Sequence, residues 1–417
     1  MRITENPLWS HIDSFQGNHS SPALTFYRPC PICESRNGST FLQLDQFQFY
    51  SDSSSEPKRV DIRQVRCNDC GALYLNPGYS NHGFKILFSE AGQSYGSTLE
   101  RPGEQIDWLK SRSLLNDGDV FLDVGCYDGG FLSALPDTMK RVGVDIDEPA
   151  IERGKQKYQG KKIEFIHGDF ETFQYAGDLP GTITMFHVLE HLPRPVEVLK
   201  KLCSISGPTT SLVLEVPILE NGKTNDINGF FSVQHMTHFS RSSLRKCLSM
   251  GGWEIKEEVQ QPGYNGFRVV ANIKKTPNDT PEHTIEPNDT ATLNHYLSHW
   301  YKTLQEFEHS MLRFPASLNV VLWGGGAHTE FLYQTSSFFR TRRDVNFLII
   351  DSDPIKHGKS WRGIKIYGPE VASQIDWLAS MLVVSSYGGQ ESIVSMAQAK
   401  GISEDRVIRL YNEVNRY

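Results

Sequence analysis

The chain has 417 residues, of which 38% are hydrophobic and 22% charged, with a formal net charge of −7 at pH 7. That length exceeds what one hydrophobic core normally supports, so we expect several domains. An acidic chain repels a phosphate backbone, which argues against nucleic acid as a partner, and no apolar run reaches the length of a membrane span. Residues 1–20 lack the apolar core of a secretory signal, so a cytoplasmic, reducing location is expected.

Residues 1–100 contain two Cys-x-x-Cys pairs and are predicted to form a zinc-binding domain. Two-residue spacing lets both thiolates of a pair face one ion, and two pairs complete the tetrahedral shell that zinc prefers. In a reducing compartment the pairs favour a structural metal site over disulfides, and a redox dithiol is the alternative. Four sulfur ligands leave no open position for substrate, so the site's predicted role is in folding. The predicted ligands are Cys30, Cys33, Cys67 and Cys70.

Residues 101–275 alternate between apolar runs and amphipathic stretches, as parallel strands joined by crossover helices do. This pattern predicts a doubly wound α/β sheet whose ligand site lies at the carboxyl edge of its strands. A hairpin is expected near the end of the domain. The predicted strands cover residues 120–124, 141–146, 163–166, 182–188, 211–216, 253–259 and 267–275.

Three consecutive predicted strands end in residues that suit one cofactor. The first runs through Asp123 into the glycine turn Gly125-Cys-Tyr-Asp-Gly129, where a ligand can approach the backbone closely. The second ends at Asp145, a carboxylate that can accept from both hydroxyls of a ribose. The third ends in Asp169 and Phe170, which suit the amino group and ring face of adenine. The glycines do not follow the dinucleotide pattern G-x-G-x-x-G, and dinucleotide binding would give no role to the third strand end. S-adenosylmethionine is therefore favoured over NAD.

The segment Thr184-Met-Phe-His-Val-Leu-Glu-His-Leu-Pro193 resembles the fourth-strand motif of class I methyltransferases. In such motifs His187 and His191 pack and hydrogen-bond around the cofactor more often than they act as the base. The candidate cofactor-binding residues of the four strand ends are Asp123, Gly125, Cys126, Tyr127, Gly129, Asp145, Ile146, Asp169, Phe170, Phe186 and His187.

Residues 276–292 contain Pro-Asn-Asp-Thr twice and few apolar residues, which indicates a linker. Residues 293–417 begin with apolar side chains at three- and four-residue steps from Leu293 to Met311, and these predict one long helix. A second alternation of strands and helices follows, with a glycine turn at Trp323-Gly-Gly-Gly-Ala327 and a strand ending at Asp351. We expect a small Rossmann-like unit there.

The four cysteines, the Gly125-to-Gly129 turn and the C-terminal unit together resemble the sugar C-methyltransferases of deoxysugar biosynthesis, over nearly the whole chain. The segment from Asp351 to Lys359 is similar to the second strand end of that family's C-terminal unit. The resemblance implies that the zinc-binding domain helps to cover the active site and that the central domain binds the methyl donor. It further implies that the C-terminal unit helps to hold a nucleotide sugar.

Two segments depart from that family. Tyr127 stands where the family usually has Asn, and Ser232-Val-Gln-His235 stands where it has a catalytic Tyr-His-Glu-His. The stretch Cys70-Gly-Ala-Leu-Tyr-Leu-Asn-Pro77 also resembles a broader set of zinc-bearing bacterial glycan methyltransferases. The resemblance therefore leaves the methylated atom, the sugar, its nucleotide and the oligomeric state open.

Methyl transfer needs a base because the acceptor loses a proton as it attacks the methyl group. His235 and His238 lie on a polar segment before a predicted helix at 242–250, and in this fold that connection lies over the acceptor. We predict His235 as the base and His238 as the second candidate, although such a pair can also bind a metal or cap the helix.

The leading interpretation is methylation of a nucleotide-linked sugar, with carbon slightly favoured over oxygen. The alternatives are an O-methyltransferase of a glycan or polysaccharide precursor, a non-catalytic cofactor-fold binding protein in glycan assembly, and a nicotinamide oxidoreductase. The substitutions at Tyr127 and Ser232 favour the non-catalytic alternative, whereas Asp145 and the pair His235 and His238 argue against it.

Overall fold

The computed structural model describes residues 24–50, 57–88, 101–169, 171–172, 174–221, 230–260, 266–275, 287–313, 318–341, 345–412 and 414. Their strands form sheets of seven, six, four and two strands. No helix in this part of the chain is both long and apolar enough to cross a membrane.

The N-terminal sheet is antiparallel and carries the second cysteine pair where its third strand ends. Cys67 is the last residue of that strand, and the turn after Cys70 is made by Gly71 at φ 78°, a conformation that glycine adopts without strain. The elements of this region are β1 (Thr25–Phe26), β2 (Gly38–Phe49), β3 (Lys58–Cys67), β4 (Leu73–Leu75), β5 (Gly78–Tyr79) and α1 (Asn81–Phe88).

The central elements alternate between strands and helices, as the sequence predicts. They are α2 (Arg101–Ser111), β6 (Val120–Val124), α3 (Gly130–Ala134), β7 (Lys140–Asp145), α4 (Glu148–Lys157), β8 (Ile163–His167), β9 (Thr182–Phe186), α5 (Pro195–Ser204), β10 (Ser211–Pro217), β11 (Thr237–His238), α6 (Arg241–Met250), β12 (Trp253–Gln260) and β13 (Gly266–Ile273).

The seven-stranded sheet has the order β12-β13-β10-β9-β6-β7-β8, with β6 to β10 parallel and the β12–β13 hairpin antiparallel at one edge. Every residue of β6 is buried, as expected for a parallel strand covered on both faces. The strand order reverses between β6 and β9, and ligands of open α/β sheets bind at the carboxyl ends of such strands. The predicted doubly wound α/β fold is confirmed.

The C-terminal unit is a second, smaller sheet of the same kind. Its order is β16-β17-β15-β14-β18-β19, parallel except for β16, and it reverses between β14 and β18. Its elements are α7 (Pro287–Leu312), β14 (Asn319–Trp323), α8 (Ala327–Thr335), α9 (Phe338–Thr341), β15 (Phe347–Ile350), β16 (Ser360–Trp361), β17 (Ile364–Tyr367), β18 (Ser380–Val384), α10 (Gln390–Ala399) and β19 (Val407–Arg409).

The long helix begins earlier than predicted. α7 starts at Pro287, so the last part of the predicted linker 276–292 is helical. Proline is favoured in the first turn, and the carboxylate of Asp289 lies where the helix dipole favours negative charge. Asp289 also accepts a hydrogen bond from the hydroxyl of Ser242 in the central domain, a long-range contact that the local sequence does not reveal.

The N-terminal sheet packs against the C-terminal unit through one continuous apolar core. Phe47 of β2 meets Phe331 of α8 edge to face, with ring centroids 4.7 Å apart. Beside this contact, the side chain of Gln334 donates to the backbone carbonyl of Asp45 at 2.9 Å. The N-terminal sheet and the C-terminal unit therefore share one hydrophobic core.

Candidate active site

The glycine turn after β6 has a conformation that tolerates few side chains. Gly125 has φ 82°, and a Cβ there would lie 2.2 Å from Cγ2 of Val188. Tyr127 has φ 51°, a region that Asn enters more readily than Tyr, and its hydroxyl accepts from Arg153 at 2.9 Å. The turn thus keeps a conformation suited to Asn although the chain has Tyr at this position.

Two acids lie at adjacent strand ends beside this turn, and one of them, Asp145, holds it. Asp145 is partly exposed and accepts from the backbone N–H groups of Tyr127 and Asp147, at 2.8 Å each. Burial raises the pKa of Asp145 to about 6. Asp123 is only 4% exposed, and its carboxylate accepts from the Thr184 hydroxyl at 2.7 Å. Burial, with a smaller contribution from Asp145, raises the pKa of Asp123 to about 7.

The third strand end is tied to the N-terminal domain. Asp169 is half-buried and accepts from the side-chain amide of Asn81 in α1 and from the backbone N–H of Glu171, the latter at 2.9 Å. Its predicted partner Phe170 lies outside the described residues. Asn81 was not predicted, because nothing in its local sequence indicates a contact with this strand end.

The other predicted cofactor residues differ in exposure. Cys126 is 5% exposed, and a Cβ on Gly143 would lie 2.6 Å from its Sγ. Its side chain therefore belongs to the core, and only its backbone faces the turn. Ile146 and Phe186 are half-buried at the carboxyl edge. The ring of Phe186 packs edge to face on Phe131, with centroids 5.3 Å apart.

A buried charge network that the sequence did not predict surrounds the end of β9. His187 lies between two buried carboxylates, with Nδ1 3.3 Å from Glu190 and Nε2 3.4 Å from Glu215. Burial lowers the pKa of His187, but the two carboxylates outweigh it and the net shift is upward. Glu215 is also paired with Arg268 at 2.6 Å and Arg101 at 2.7 Å. Negative charge at this edge is therefore largely balanced.

The two candidate bases occupy different environments. His235 is half-buried, and its ring lies edge to face with His191 at a centroid distance of 4.9 Å. Burial and the neighbouring His191 lower the pKa of His235 to about 3, so the ring is neutral at pH 7. The Nδ1 atom of His191 lies 3.1 Å from the backbone oxygen of Gln234, the residue next to His235.

His238, the second candidate, is 2% exposed and belongs to the core. Its Nε2 lies 2.8 Å from the side-chain oxygen of Gln64 in the N-terminal sheet, and its ring packs on Phe231 at 4.9 Å between centroids. Burial lowers its pKa well below the usual range. These contacts support a packing role for His238, whereas His235 is only partly buried.

The segment that carries both histidines is clamped between domains. Its strand β11 pairs with β4, so that Thr237 lies opposite Tyr74. The guanidinium of Arg28 donates to the backbone carbonyl of Met236 and, at 2.6 Å, to that of Pro193 in the fourth-strand motif. The Tyr79 hydroxyl donates to the carbonyl of Val233 at 2.9 Å. The N-terminal domain therefore determines where His235 lies.

The four cysteines converge as predicted. One ligand atom from each of Cys30, Cys33, Cys67 and Cys70 lies within 4.8 Å of all the others. The closest pairs, Cys30 with Cys70 and Cys33 with Cys67, are 3.6 and 3.5 Å apart between sulfurs. A tetrahedral zinc with bonds of about 2.3 Å needs sulfurs about 3.8 Å apart, so the cluster has dimensions compatible with zinc.

The chain is similar to several known methyltransferases. Residues 99–258 match the family model described as a methyltransferase domain. An uncharacterized methyltransferase of Mycobacterium tuberculosis is 24% identical over 145 residues, which are 34% of this chain and 68% of that protein. The magnesium protoporphyrin IX methyltransferase of Synechocystis, solved with bound SAH, is 20% identical, with a TM-score of 0.35 over 42% of this chain and 83% of that chain. An S-adenosylmethionine-dependent methyltransferase of Clostridium acetobutylicum is 11% identical, with a TM-score of 0.37 over 46% of this chain and 97% of that one.

The family match and the order of the central sheet identify the enzyme class. The central domain is a class I methyltransferase domain, and the protein is an S-adenosylmethionine-dependent methyltransferase. The predicted enzyme class is thereby confirmed.

The raised pKa of Asp123 predicts a specific pH dependence of stability. A rise from the usual value near 4 to about 7 corresponds to roughly 4 kcal/mol. Because the folded state binds this proton more tightly, the stability it contributes is fully present below pH 4 and is lost as pH rises through 7. Asp123→Asn should therefore be more stable than the wild type at pH 8, and the difference should vanish toward pH 4. Urea midpoints of the ligand-free proteins measure this, and a difference that does not vary with pH would contradict it.

Proposed function

We propose that the enzyme transfers the methyl group of S-adenosylmethionine to a nucleotide-linked sugar, with His235 as the base. The preference for a sugar, and for carbon slightly ahead of oxygen, comes from the family resemblance. The structural observation that carries the proposal is that the C-terminal unit repeats the acid geometry of the donor site.

The donor site consists of the residues around the switch point of the central sheet. Asp145 is positioned to accept from ribose hydroxyls, since its carboxylate is partly exposed and its backbone donors keep it in one orientation. Gly125 is needed in the turn because Val188 occupies the space that a side chain at position 125 would take. When bound, the donor supplies a methyl group on a positively charged sulfur, so the protein adds mainly positioning and proton removal.

The C-terminal unit holds Asp351 in the same way as the central domain holds Asp145. Asp145 is the last residue of β7, and Asp351 directly follows β15. Asp351 accepts from the backbone N–H of Gly325 in the glycine turn at 2.7 Å and from that of Asp353 at 2.8 Å. The contacts of Asp145 with Tyr127 and Asp147 match these in type and length. This repetition supports a second nucleotide-binding edge in one chain.

At the C-terminal edge a lysine is paired with the acid itself. Nζ of Lys356 lies 3.2 Å from Asp351, and a Cβ on Gly326 would lie 3.6 Å from that same nitrogen. The ammonium therefore faces the glycine turn at the start of α8. A lysine beside the N-terminus of a helix favours a phosphate group, which fits the diphosphate of a nucleotide sugar.

His235 is the proposed base because its ring is only partly buried and is neutral at pH 7, as a proton acceptor must be, although its lowered pKa makes it a weaker base than an ordinary histidine. On a ketosugar it would remove the proton alpha to the carbonyl, and on an alcohol it would assist oxygen attack. A non-catalytic binding protein is the alternative, and it predicts donor binding without turnover.

The cysteine cluster is proposed to hold a structural zinc ion. It lies at the end of β3, and β3 pairs with β4, the strand that pairs in turn with the His235 segment. The ion would thereby stabilise the strands β3 and β4 that position the His235 segment, without taking part in the reaction.

The two nucleotide edges should respond to different substitutions. We expect Asp145→Asn to weaken donor binding by roughly 10- to 150-fold, the loss of about 1.5–3 kcal/mol that a hydrogen bond to a charged group contributes. Lys356→Gln should weaken binding of a nucleoside diphosphate to a similar extent and leave the donor affinity unchanged. Calorimetric titrations with S-adenosylhomocysteine and with uridine and thymidine diphosphates measure both. If Lys356→Gln binds either diphosphate as tightly as the wild type, the second edge is not the nucleotide site.

The zinc proposal predicts the metal content and its consequence. Wild-type protein should contain one zinc per chain, whereas Cys33→Ser should lose the ion and melt at a lower temperature, because metal binding stabilises the fold directly. Methyl transfer should fall with it. Cys203→Ser is the matched control, since Cys203 is half-buried outside the cluster. Emission spectrometry and thermal melts test this, and full zinc content in Cys33→Ser would contradict it.

The base is tested by His235→Asn with His299→Asn as control, because His299 is exposed on α7. Proton transfer by a positioned side chain contributes about 10²- to 10⁴-fold, so His235→Asn should lose at least about 100-fold in turnover. Donor affinity should be unchanged. Equal turnover in His235→Asn and the wild type would remove His235 from the proposal.

A further inference from the structure

Glu190 is a buried carboxylate without a defined task in the proposed reaction. It lies in the one-turn helix Leu189–His191 after β9 and is 1% exposed. One of its oxygens lies within 4.8 Å of a ring nitrogen of His191 and of His235. Its Oε2 accepts no hydrogen bond from any residue that the structure describes. Burying a carboxylate oxygen without a partner is costly, so a fold that retains one invites a functional explanation.

The charge of Glu190 persists despite its burial. Burial alone raises its pKa, but His187, His191 and His235 outweigh this and bring the pKa to about 2. The positive charge of His187 is shared with Glu215, which already pairs with two arginines. The carboxylate of Glu190 is therefore negatively charged where it faces His191 and His235. The pKa values of both of these rings are lowered.

The neighbouring ring is held in a fixed orientation. Nδ1 of His191 lies 3.1 Å from the carbonyl oxygen of Gln234, which fixes Nδ1 as the protonated nitrogen of a neutral ring. His235 is joined to Glu190 through the backbone as well, because the N–H of Met236, the next residue, donates to the Glu190 carbonyl at 2.8 Å. The main chain of Glu190 thus acts on the position of His235, and its carboxylate lies within 4.8 Å of the ring.

We infer that Glu190 is a positioning residue for proton removal, whose backbone carbonyl fixes the segment of His235 and whose carboxylate stabilises the imidazolium that forms when His235 takes the acceptor's proton. The inference rests on the proposed role of His235. The acceptor's proton moves to the His235 ring, and the electron pair left on the acceptor forms the new bond to the methyl carbon. The carbon–sulfur bond breaks with its electron pair remaining on sulfur. Glu190 keeps its charge throughout and exchanges no proton, as the carboxylate behind a catalytic histidine does in hydrolases.

The test compares Glu190→Gln and Glu190→Asp with the wild type in steady-state methyl transfer. Gln keeps the shape of the side chain and removes its charge, so kcat should fall by roughly 10- to 100-fold. This loss is smaller than the full rate contribution of a positioned base. KM for both substrates should change by less than about threefold, because Glu190 acts on proton removal and not on binding. Asp keeps the charge and should restore most of kcat. Glu197→Gln, an exposed glutamate on α5, is the control for removing one negative charge nearby.

The double variant Glu190→Gln with His235→Asn separates a positioning role from a structural one. If Glu190 acts through His235, the double variant turns over as slowly as His235→Asn alone, because groups that act as a unit are not additive. An additive further loss, or a Glu190→Gln kcat equal to that of the wild type, overturns the inference. Two metal ions per wild-type chain and one in Glu190→Gln would make Glu190 a metal ligand and overturn it as well. In each of these cases the proposed function stands as long as the wild-type enzyme methylates a nucleotide sugar. If the wild-type enzyme turns over none of the nucleotide sugars tested, the proposed function itself is contradicted.

Discussion

The position of the candidate base depends on a segment that cannot hold its own conformation. Residues 230–238 contain only the two strand residues of β11, so their backbone groups find partners elsewhere in the chain. Leu75 donates to the carbonyl of Met236 at 2.9 Å, and Met236 donates to that of Glu190 at 2.8 Å. One residue therefore bridges the N-terminal sheet and the fourth-strand motif. Each such bond contributes only about 0.5–1.5 kcal/mol, so several together, with Arg28 and Tyr79, are needed to fix the segment.

This clamp explains why the enzyme contains three parts. The central sheet carries the proposed donor site. The N-terminal sheet holds the segment of His235 and is braced in turn by the C-terminal unit through Phe47 and Phe331. The backbone N–H of Phe230 also donates to the Tyr296 hydroxyl of α7 at 3.3 Å, so the segment touches all three parts. A disturbance far from the chemistry, such as loss of a metal at the cysteine cluster, is thereby expected to reach the base.

How much could be predicted from the sequence follows from the range of the interactions involved. The strand ends at Asp123 and Asp145 were predictable because a glycine turn and an acid are local signals with a fixed spacing. The convergence of four cysteines was predictable for the same reason. Glu190 and Arg28 were not, since their roles arise from contacts with residues distant in sequence. His238 was predicted as a second candidate base, yet its ring faces Gln64 and Phe231, because strand pairing with β4 turns it inward.

The proposed function is that one chain binds a methyl donor and a nucleotide sugar and transfers the methyl group between them, with His235 as the base. It is tested most directly by incubating the purified enzyme with S-adenosylmethionine labelled at the methyl carbon and a panel of cell-derived nucleotide sugars, then locating the label by mass spectrometry. We expect label on the sugar moiety of a nucleotide sugar. Donor binding without label on any nucleotide sugar, or label on an acceptor that carries no nucleotide, would contradict the proposed function.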